Sequence, residues 1–537
     1  MTVTPEELIK RCDTLDAARS NLLTLWEELA TYILPNKVDF ISKKSHGTKR
    51  GTKIYDSTPV HAAQILAASL HGALTSSSAK WFDLRYRKDA LNENSAAKQW
   101  LEECGEAIYQ ELANSNFDSE VGEAYLDITA FGAFALLQDV KEEQGWEGFN
   151  FRALHLADVL IAENADGKVD TIYRKIEMTA RQAQQKFGDN CGEKVLAALE
   201  KNPDKKFPFI QAILPRQLET PAGLMARPEK RPFACYFVNK KDKKICKETG
   251  YYELPVYVPR WSKVTGEEYG YGPGAIALAD IRTLNKARYM ALNAWAKAID
   301  PPLMAKKSGI LGTGSINLRA SSVTYVQDMA NIAALPQGTN WNADQLNVQD
   351  VRASIRRIFY SDQLELQDGP NMTATEVQVR YELMQRLLGA TLGRLQAEFL
   401  NPLVERCFYS MFRAGVLPPL PEVVQQEGGD LNIEYVGALA RSQRIDEVTS
   451  IQRLLDSVMA LAQIDPEVAD TIDVDKAAKK ISDRLGVPAD VMRGEDEKRQ
   501  LRQARQQQQA QTQQAMDNQM TLEQAGQAAE IGRLVDG

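Results

Sequence analysis

Apolar residues recur along the first part of the chain at the three- and four-residue spacing of a helix face. The opening run carries Leu8, Leu15, Leu22, Leu25, Trp26, Leu29 and Ile33. Thr4-Pro5-Glu6-Glu7 supplies an N-cap, a proline at the first helical position and a glutamate that closes a capping box, and Pro35 stops the run. One helix reaching Ile33 is predicted. A basic loop with Lys43, Lys44, Lys49, Arg50 and Lys53 follows, and Thr58-Pro59 opens a second helix faced by Ala63, Leu66, Leu70 and Leu74. Trp100, Leu101, Cys104, Ile108 and Leu112 mark a third helix, and Val121, Tyr125 and Ile128 a fourth.

From about residue 133 the period shortens to that of strands. Phe149 to Leu154, Val159 to Ala162, Val169 to Ile176, Phe207 to Leu214, Phe233 to Val238 and Tyr251 to Val258 are predicted as strands. Between Lys201 and Lys244 the abundance of Pro, Lys and Arg suggests short strands joined over the surface in preference to a buried sheet.

Helical spacing returns after Gly270-Tyr271-Gly272-Pro273-Gly274, with Ile281, Leu284, Leu292, Trp295 and Ile299 on a long helix that Asp300-Pro301-Pro302 ends. Gly-rich turns and short strands are expected up to residue 345. Val348, Val351, Ile355 and Ile358 then form one helix face, with Arg352, Arg356 and Arg357 on others. Gln367 to Met372 is a breaker cluster, and Thr373-x-x-Glu376 is a capping box that restarts a helix. Its stripe runs from Val377 to Phe412, so Pro402 should kink it without ending it. Ile445, Val448, Ile451, Leu455 and Val458 form a further helix, and a Gln-rich stretch from Arg502 to Gln519 is helical or disordered. The fold class is α+β and mainly helical.

With 537 residues the chain exceeds one ordinary core, and two or three packed regions, partly interleaved in sequence, are expected. Hydrophobic residues at 44% and charged residues at 25% fit a folded protein. The longest apolar stretches, such as Ala62 to Leu74, are broken by Gln64, Ser69 and His71 and fall short of the roughly 20 residues a bilayer span needs. No membrane anchor is expected. Glu6 and Glu7 stand where a secretory signal would carry basic residues, so the chain is expected to act without export. The net charge of -8 argues against a protein that grips nucleic acid by releasing counterions, though a conduit past which DNA slides remains compatible.

Catalytic chemistry is sparsely signed. Cys12, Cys104, Cys191, Cys235, Cys246 and Cys407 lack metal spacing and are expected to be buried free thiols. His46, His61, His71 and His155 include no HExxH pair and are expected to be structural or surface residues. Gly272-Pro273-Gly274-Ala275-Ile276-Ala277 formally satisfies GxGxx(G/A) before a helix, but Pro273 removes one N–H and no βαβ alternation follows. A tight turn is the favoured explanation. The loop Gly47 to Lys53 lacks the glycine spacing of a phosphate-binding P-loop. No cofactor, metal or catalytic residue is assigned.

Four stretches in their order carry a resemblance: Ile54-Tyr55-Asp56-Ser57-Thr58-Pro59 running on to Lys80-Trp81-Phe82; Gly270 to Pro302; Thr373-Ala374-Thr375-Glu376-Val377 with Asn401-Pro402-Leu403; and Ile433 to Arg444. To about residue 465 the chain resembles the head-to-tail connecting (portal) proteins of short-tailed phages. That resemblance implies a non-enzymatic dodecameric ring around a channel for double-stranded DNA, at the head-to-tail vertex of the virion. It implies a wing over 1–273, stem helices at 274–299 and 346–366, and a clip at 300–345. A channel loop at 367–374, a long kinked helix with the wing return at 375–440, and a crown with a Gln-rich extension at 441–537 complete the set. Expected partners are other copies of the chain, the large subunit of a terminase, a tail adaptor or head completion protein, and the major capsid and scaffold proteins. Arg352, Arg356, Arg357, Gln367 and Asn371 are the candidate DNA contacts in the channel. Two alternatives stay open: another virion component, such as a scaffold or an ejected internal protein, and a metal-dependent phage nucleic-acid enzyme with dispersed carboxylates.

Overall fold

In the computed structural model the described residues are 3–41, 47–76, 80–86, 91, 94–140, 145–216, 223, 226–299, 303–305, 332–334, 341–364, 388–426, 433–462, 468, 471–485 and 497–512. Their contacts divide the chain into two units interleaved in sequence. One comprises Met1–Phe82 and Glu106–Leu417, the other Asp83–Gly105 and Pro418–Gly537. The class is α+β and mainly helical.

The first unit opens with two helices where one was expected, α1 (Pro5–Ala18) and α2 (Ser20–Tyr32). The expected capping box is present: Glu7 N donates to Thr4 Oγ1, and Thr4 N to Glu7 Oε2. Arg19 makes the break. Its guanidinium is buried and donates to the carbonyls of Leu156, Ala157 and Val159, a reach that an uninterrupted helix would not give it. Local periodicity cannot register such a distant demand.

Helix α3 (Thr58–Leu74) and helix α4 (Phe117–Phe131) pack together in the core. Trp26 of α2 is fully buried and donates Nε1 to Phe131 O at 3.1 Å, which satisfies the indole while its ring packs on Phe40 and Tyr269. Lys37 reaches Asp127 of α4 at 2.7 Å and Glu123 at 3.1 Å. Burial raises the Asp127 carboxyl above its ordinary value, although Lys37 pulls it the other way.

Strands β1 (Ala135–Val140) and β2 (Phe149–Leu154) pair antiparallel, with β8 (Val256–Tyr257) on the other edge of β1. A second sheet is an antiparallel meander in chain order: β3 (Val159–Glu163), β4 (Val169–Thr179), β5 (Lys206–Pro215), β6 (Phe233–Asn239) and β7 (Lys244–Tyr251). Helices α5 (Ala180–Phe187) and α6 (Glu193–Lys201) are inserted between β4 and β5. The expectation of surface strands between Lys201 and Lys244 is therefore corrected. β5 and β6 are inner strands with Phe209, Ile210, Ala212, Ile213, Cys235 and Val238 buried, and the prolines and lysines that suggested exposure lie at their ends and in connections. The strand expected over Tyr251 to Val258 is likewise divided, its ends belonging to β7 and β8.

Two long helices follow, α7 (Pro273–Ile299) and α8 (Trp341–Ile358), which pack on each other. Between them the described residues form only the antiparallel pair Leu303–Ala305 and Ile332–Ala334. Gln367, Asn371 and the capping box Thr373-x-x-Glu376 lie outside the described residues. The chain is helical again from residue 388, and helix α9 (Asn401–Ala414) carries on through Pro402. A single π turn, Gln396–Leu400, precedes the proline. Pro402 has no N–H to give to Glu398 O, and in the wider turn before it Asn401 N reaches back five residues to Gln396 O. Glu398, within the π turn, accepts from Arg260 N at 3.0 Å and Nη2 at 2.7 Å.

In the second unit Trp100 donates Nε1 to Pro418 O at 3.0 Å, and Tyr86 donates its hydroxyl to Ala97 O at 3.2 Å. Helices Ala438–Ala462 and Val474–Leu485 pack together, with Leu454, Met459, Leu461 and Val474 exposed. The described residues 497–512 are helical.

Candidate functional site

The start of α7 explains the glycines around Pro273. α4 ends on Gly132 in the left-handed conformation, φ 83°. A Cβ on Gly132 would stand 2.6 Å from Gly270 O, and one on Gly272 would stand 2.7 Å from Ile128 O. The glycine motif is a place where two backbones cross without side chains between them, which leaves no space for a pyrophosphate.

Beyond this crossing, α7 carries an apolar stripe, with Ile276 and Met290 exposed on other faces. At about 100° per residue, Ala277, Leu278, Ile281, Leu284, Leu292, Trp295 and Ile299 fall within roughly 120° of the helix circumference. Ala277, Leu278, Ile281 and Leu284 are buried in the unit. Leu292, Trp295 and Ile299 are 42%, 46% and 84% exposed. The stripe thus runs from a buried half to an exposed half.

Asp56 joins α7 and α8 to the segment before α3. Its Oδ1 accepts from Thr58 N at 3.0 Å and Thr58 Oγ1 at 2.6 Å, and its Oδ2 accepts from Arg352 Nη2 at 2.6 Å and Nε at 3.1 Å. Arg288 of α7 stands 3.6 Å from the same Oδ2. Burial alone would raise the Asp56 carboxyl, but its hydrogen bonds from Thr58 and Arg352 outweigh that and hold it below the usual carboxylate range. Asn285 completes the clasp, accepting from Tyr55 N at 2.8 Å and donating to Lys53 O at 2.8 Å. Ser354 of α8 donates to Asp280 of α7 at 2.7 Å.

Of the sequence-predicted contacts, Arg352 is engaged with Asp56, whereas Arg356 and Arg357 are exposed and have no ion-pair partner among the described residues. Gln367 and Asn371 fall outside the described residues. Asp56, Asn285 and Arg288 were not singled out from the sequence. The only local signal was the Asp-Ser-Thr-Pro run that opens α3.

All six cysteines are buried free thiols. His71 lies 3.0 Å from Asp118, His155 contacts Lys37 O at 3.1 Å, His61 is exposed, and His46 lies outside the described residues. Among the described residues no His, Cys, Asp or Glu cluster could hold a metal ion. No described helix is long and apolar enough to cross a membrane.

Residues 5–492 match the family described as bacteriophage head to tail connecting protein. The chain belongs to this family. The connector is 31% identical over 502 residues to the probable portal protein of Bordetella phage BPP-1, covering 90% of this chain and 88% of that one. It is 29% identical over 515 residues to the portal protein of Salmonella phage epsilon15, covering 93% of this chain and 90% of that one. A solved chain from the virion of a native gene transfer agent particle covers 76% of the connector and 86% of its own length. At 12% identity and a TM-score of 0.31, that likeness is too slight to argue from. The Asp56 clasp in this connector coincides with the Ile54-to-Pro59 and Gly270-to-Pro302 stretches that carried the sequence resemblance.

Proposed function

We propose that this connector is a portal subunit: copies close into a ring, dodecameric by family resemblance, at one vertex of the capsid, and the ring is the channel for double-stranded DNA. It takes part in genome packaging, retention and ejection without catalysing a reaction, docking first a terminase large subunit and then a tail adaptor. Major capsid and scaffold proteins would surround it during assembly.

The observation that carries this reading is the exposed half of the α7 stripe. A helix about 40 Å long that buries one end of its apolar face and exposes the other is incomplete as a monomer. In a closed ring the same patch meets a neighbouring copy at every interface. α8 is clasped to α7 through Asp56 and presents Arg356 and Arg357 outward. In this reading those two arginines, with Gln367 and Asn371 of the 367–374 loop, contact DNA phosphates sparsely enough for DNA to slide. Arg352, already committed to Asp56, holds the helix that carries them.

Native mass measurement of the purified chain, with negative-stain images of the same sample, tests the ring. A closed particle near twelve subunits with a central hole is expected, and a stable monomer or dimer at high concentration would overturn the reading. Shortening 367–374 tests the channel: rings should still assemble while packaging or retention fails.

A further inference from the structure

The two faces of the five-stranded sheet differ. One carries Leu160, Tyr173, Ile210, Ala212, Ala234, Tyr236 and Val238 and is sealed by Leu8 and Cys12 of α1. On the other, cross-strand pairing places Arg174, Gln211 and Phe237 side by side on β4, β5 and β6. Directly paired residues share a face and neighbouring strands lie about 4.8 Å apart, so the Cα atoms of Arg174 and Phe237 are separated by roughly 10 Å. Lys186 of α5 covers the Phe237 ring, with Nζ 4.4 Å from its centroid.

The three-stranded sheet adds a third cation. Arg152 of β2 is paired with Leu137 of β1, and Asp139 stands two residues further along β1. Arg174 and Lys186 each lie within the electrostatic reach of both Arg152 and Asp139. The four charges are therefore neighbours, with Gln211 buried beside Arg174 on the sheet. Arg152 and Lys186 are exposed and Arg174 is half-buried, so the cluster is open to solvent.

No side chain of Arg152, Arg174 and Lys186 makes a hydrogen bond or ion pair with a described residue. The half-buried Arg174 differs in this from other buried or part-buried cations of the unit: Lys37 holds Asp127, Arg260 holds Glu398, Arg352 holds Asp56 and Arg413 holds Glu253. Burial lowers the pKa of Arg174 and of Lys186; Arg152 lowers Arg174 further against the pull of Asp139, while at Lys186 Asp139 acts upward against Arg174 and Arg152, so the cations repel one another with Asp139 as a partial offset. A multivalent oxyanion would relieve that repulsion, and guanidinium forks match its geometry.

We propose that Arg152, Arg174 and Lys186 form a binding site for a phosphate-type oxyanion, either free phosphate or the phosphoryl group of a nucleotide or nucleic-acid backbone. None of its residues lies on α7 or α8.

The test uses the full chain and inorganic phosphate, with ionic strength held constant by chloride. Phosphate is expected to raise the melting temperature saturably and to broaden its own phosphorus resonance. Arg174→Gln and Lys186→Gln should each weaken the apparent affinity by about tenfold. Without phosphate at low salt, Lys186→Gln should melt at the same temperature or higher, because a repelling charge is gone; a structural role would lower it. If Arg174→Gln fails to fold, the exposed Arg152→Gln and Lys186→Gln still decide the matter. Competition between phosphate and a short labelled duplex would name the DNA backbone as the source, and its absence would name free phosphate or a nucleotide. A response no greater than that to chloride, or one unchanged in the variants, would overturn the site.

Discussion

Arg352 Nη2 lies 2.6 Å from Asp56 Oδ2, so a helix late in the unit is held by a carboxylate that precedes α3. Asp56 is 4% exposed at its side chain and Arg352 is 24% exposed, which places the pair at the edge of the core.

Removing that carboxylate should be costly. Asp56→Ala leaves Arg288 and Arg352 facing each other and is expected to destabilise by about 3 kcal/mol, whereas Arg352→Met should cost about 1–2 kcal/mol because Arg288 still balances Asp56. Urea midpoints of the purified variants check this ordering. Because the folded carboxyl titrates below its unfolded value, the clasp contributes fully above the unfolded pKa and is lost as pH falls through the folded one. Equal midpoints for wild type and Asp56→Ala at neutral pH would remove the clasp from the account.

The Lys37–Asp127 pair titrates in the opposite sense. Lys37→Met strands a carboxylate that is 4% exposed, and a loss of about 3–5 kcal/mol at neutral pH is expected. The Asp127 carboxyl is raised by burial, so its neutral form suits the folded state. Acidification should therefore shrink the penalty of Lys37→Met, and unfolding curves at neutral and mildly acidic pH would show whether it does.

Gly122 within α4 and Gly132 that caps it make a matched pair. Gly132→Ala forces a Cβ into Gly270 O at positive φ, and about 2–4 kcal/mol of destabilisation is expected. Gly122 has nothing within 4 Å of its Cβ position, and Gly122→Ala should stabilise the helix by about 0.5–1 kcal/mol. Opposite shifts in melting temperature are the expected result.

Leu292→Asp with Trp295→Asp places two charges on the exposed half of the α7 stripe. Native mass should fall from a ring to monomers, while the monomer keeps its far-ultraviolet circular dichroism because neither residue is buried. Rings that persist in the double variant would show that the stripe is not the interface.

Local chemistry written in consecutive residues was legible in the sequence: the Thr4 and Thr58 helix starts, the strand from Phe149 to Leu154, the burial of the cysteines, and the passage of a helix through Pro402. These depend on caps, periods and rotamers that act over a few residues. The family was legible too, because four short stretches kept their order along the chain. Tertiary structure alone decided the break at Arg19, whose partners lie at Leu156 to Val159, and the inner position of β5 and β6. It also decided that Arg352 pairs with Asp56, that the glycines near Pro273 serve a backbone crossing, and that half of one continuous stripe is exposed. Each of these turns on which distant residue fills a given space, and periodicity along a chain carries no record of that.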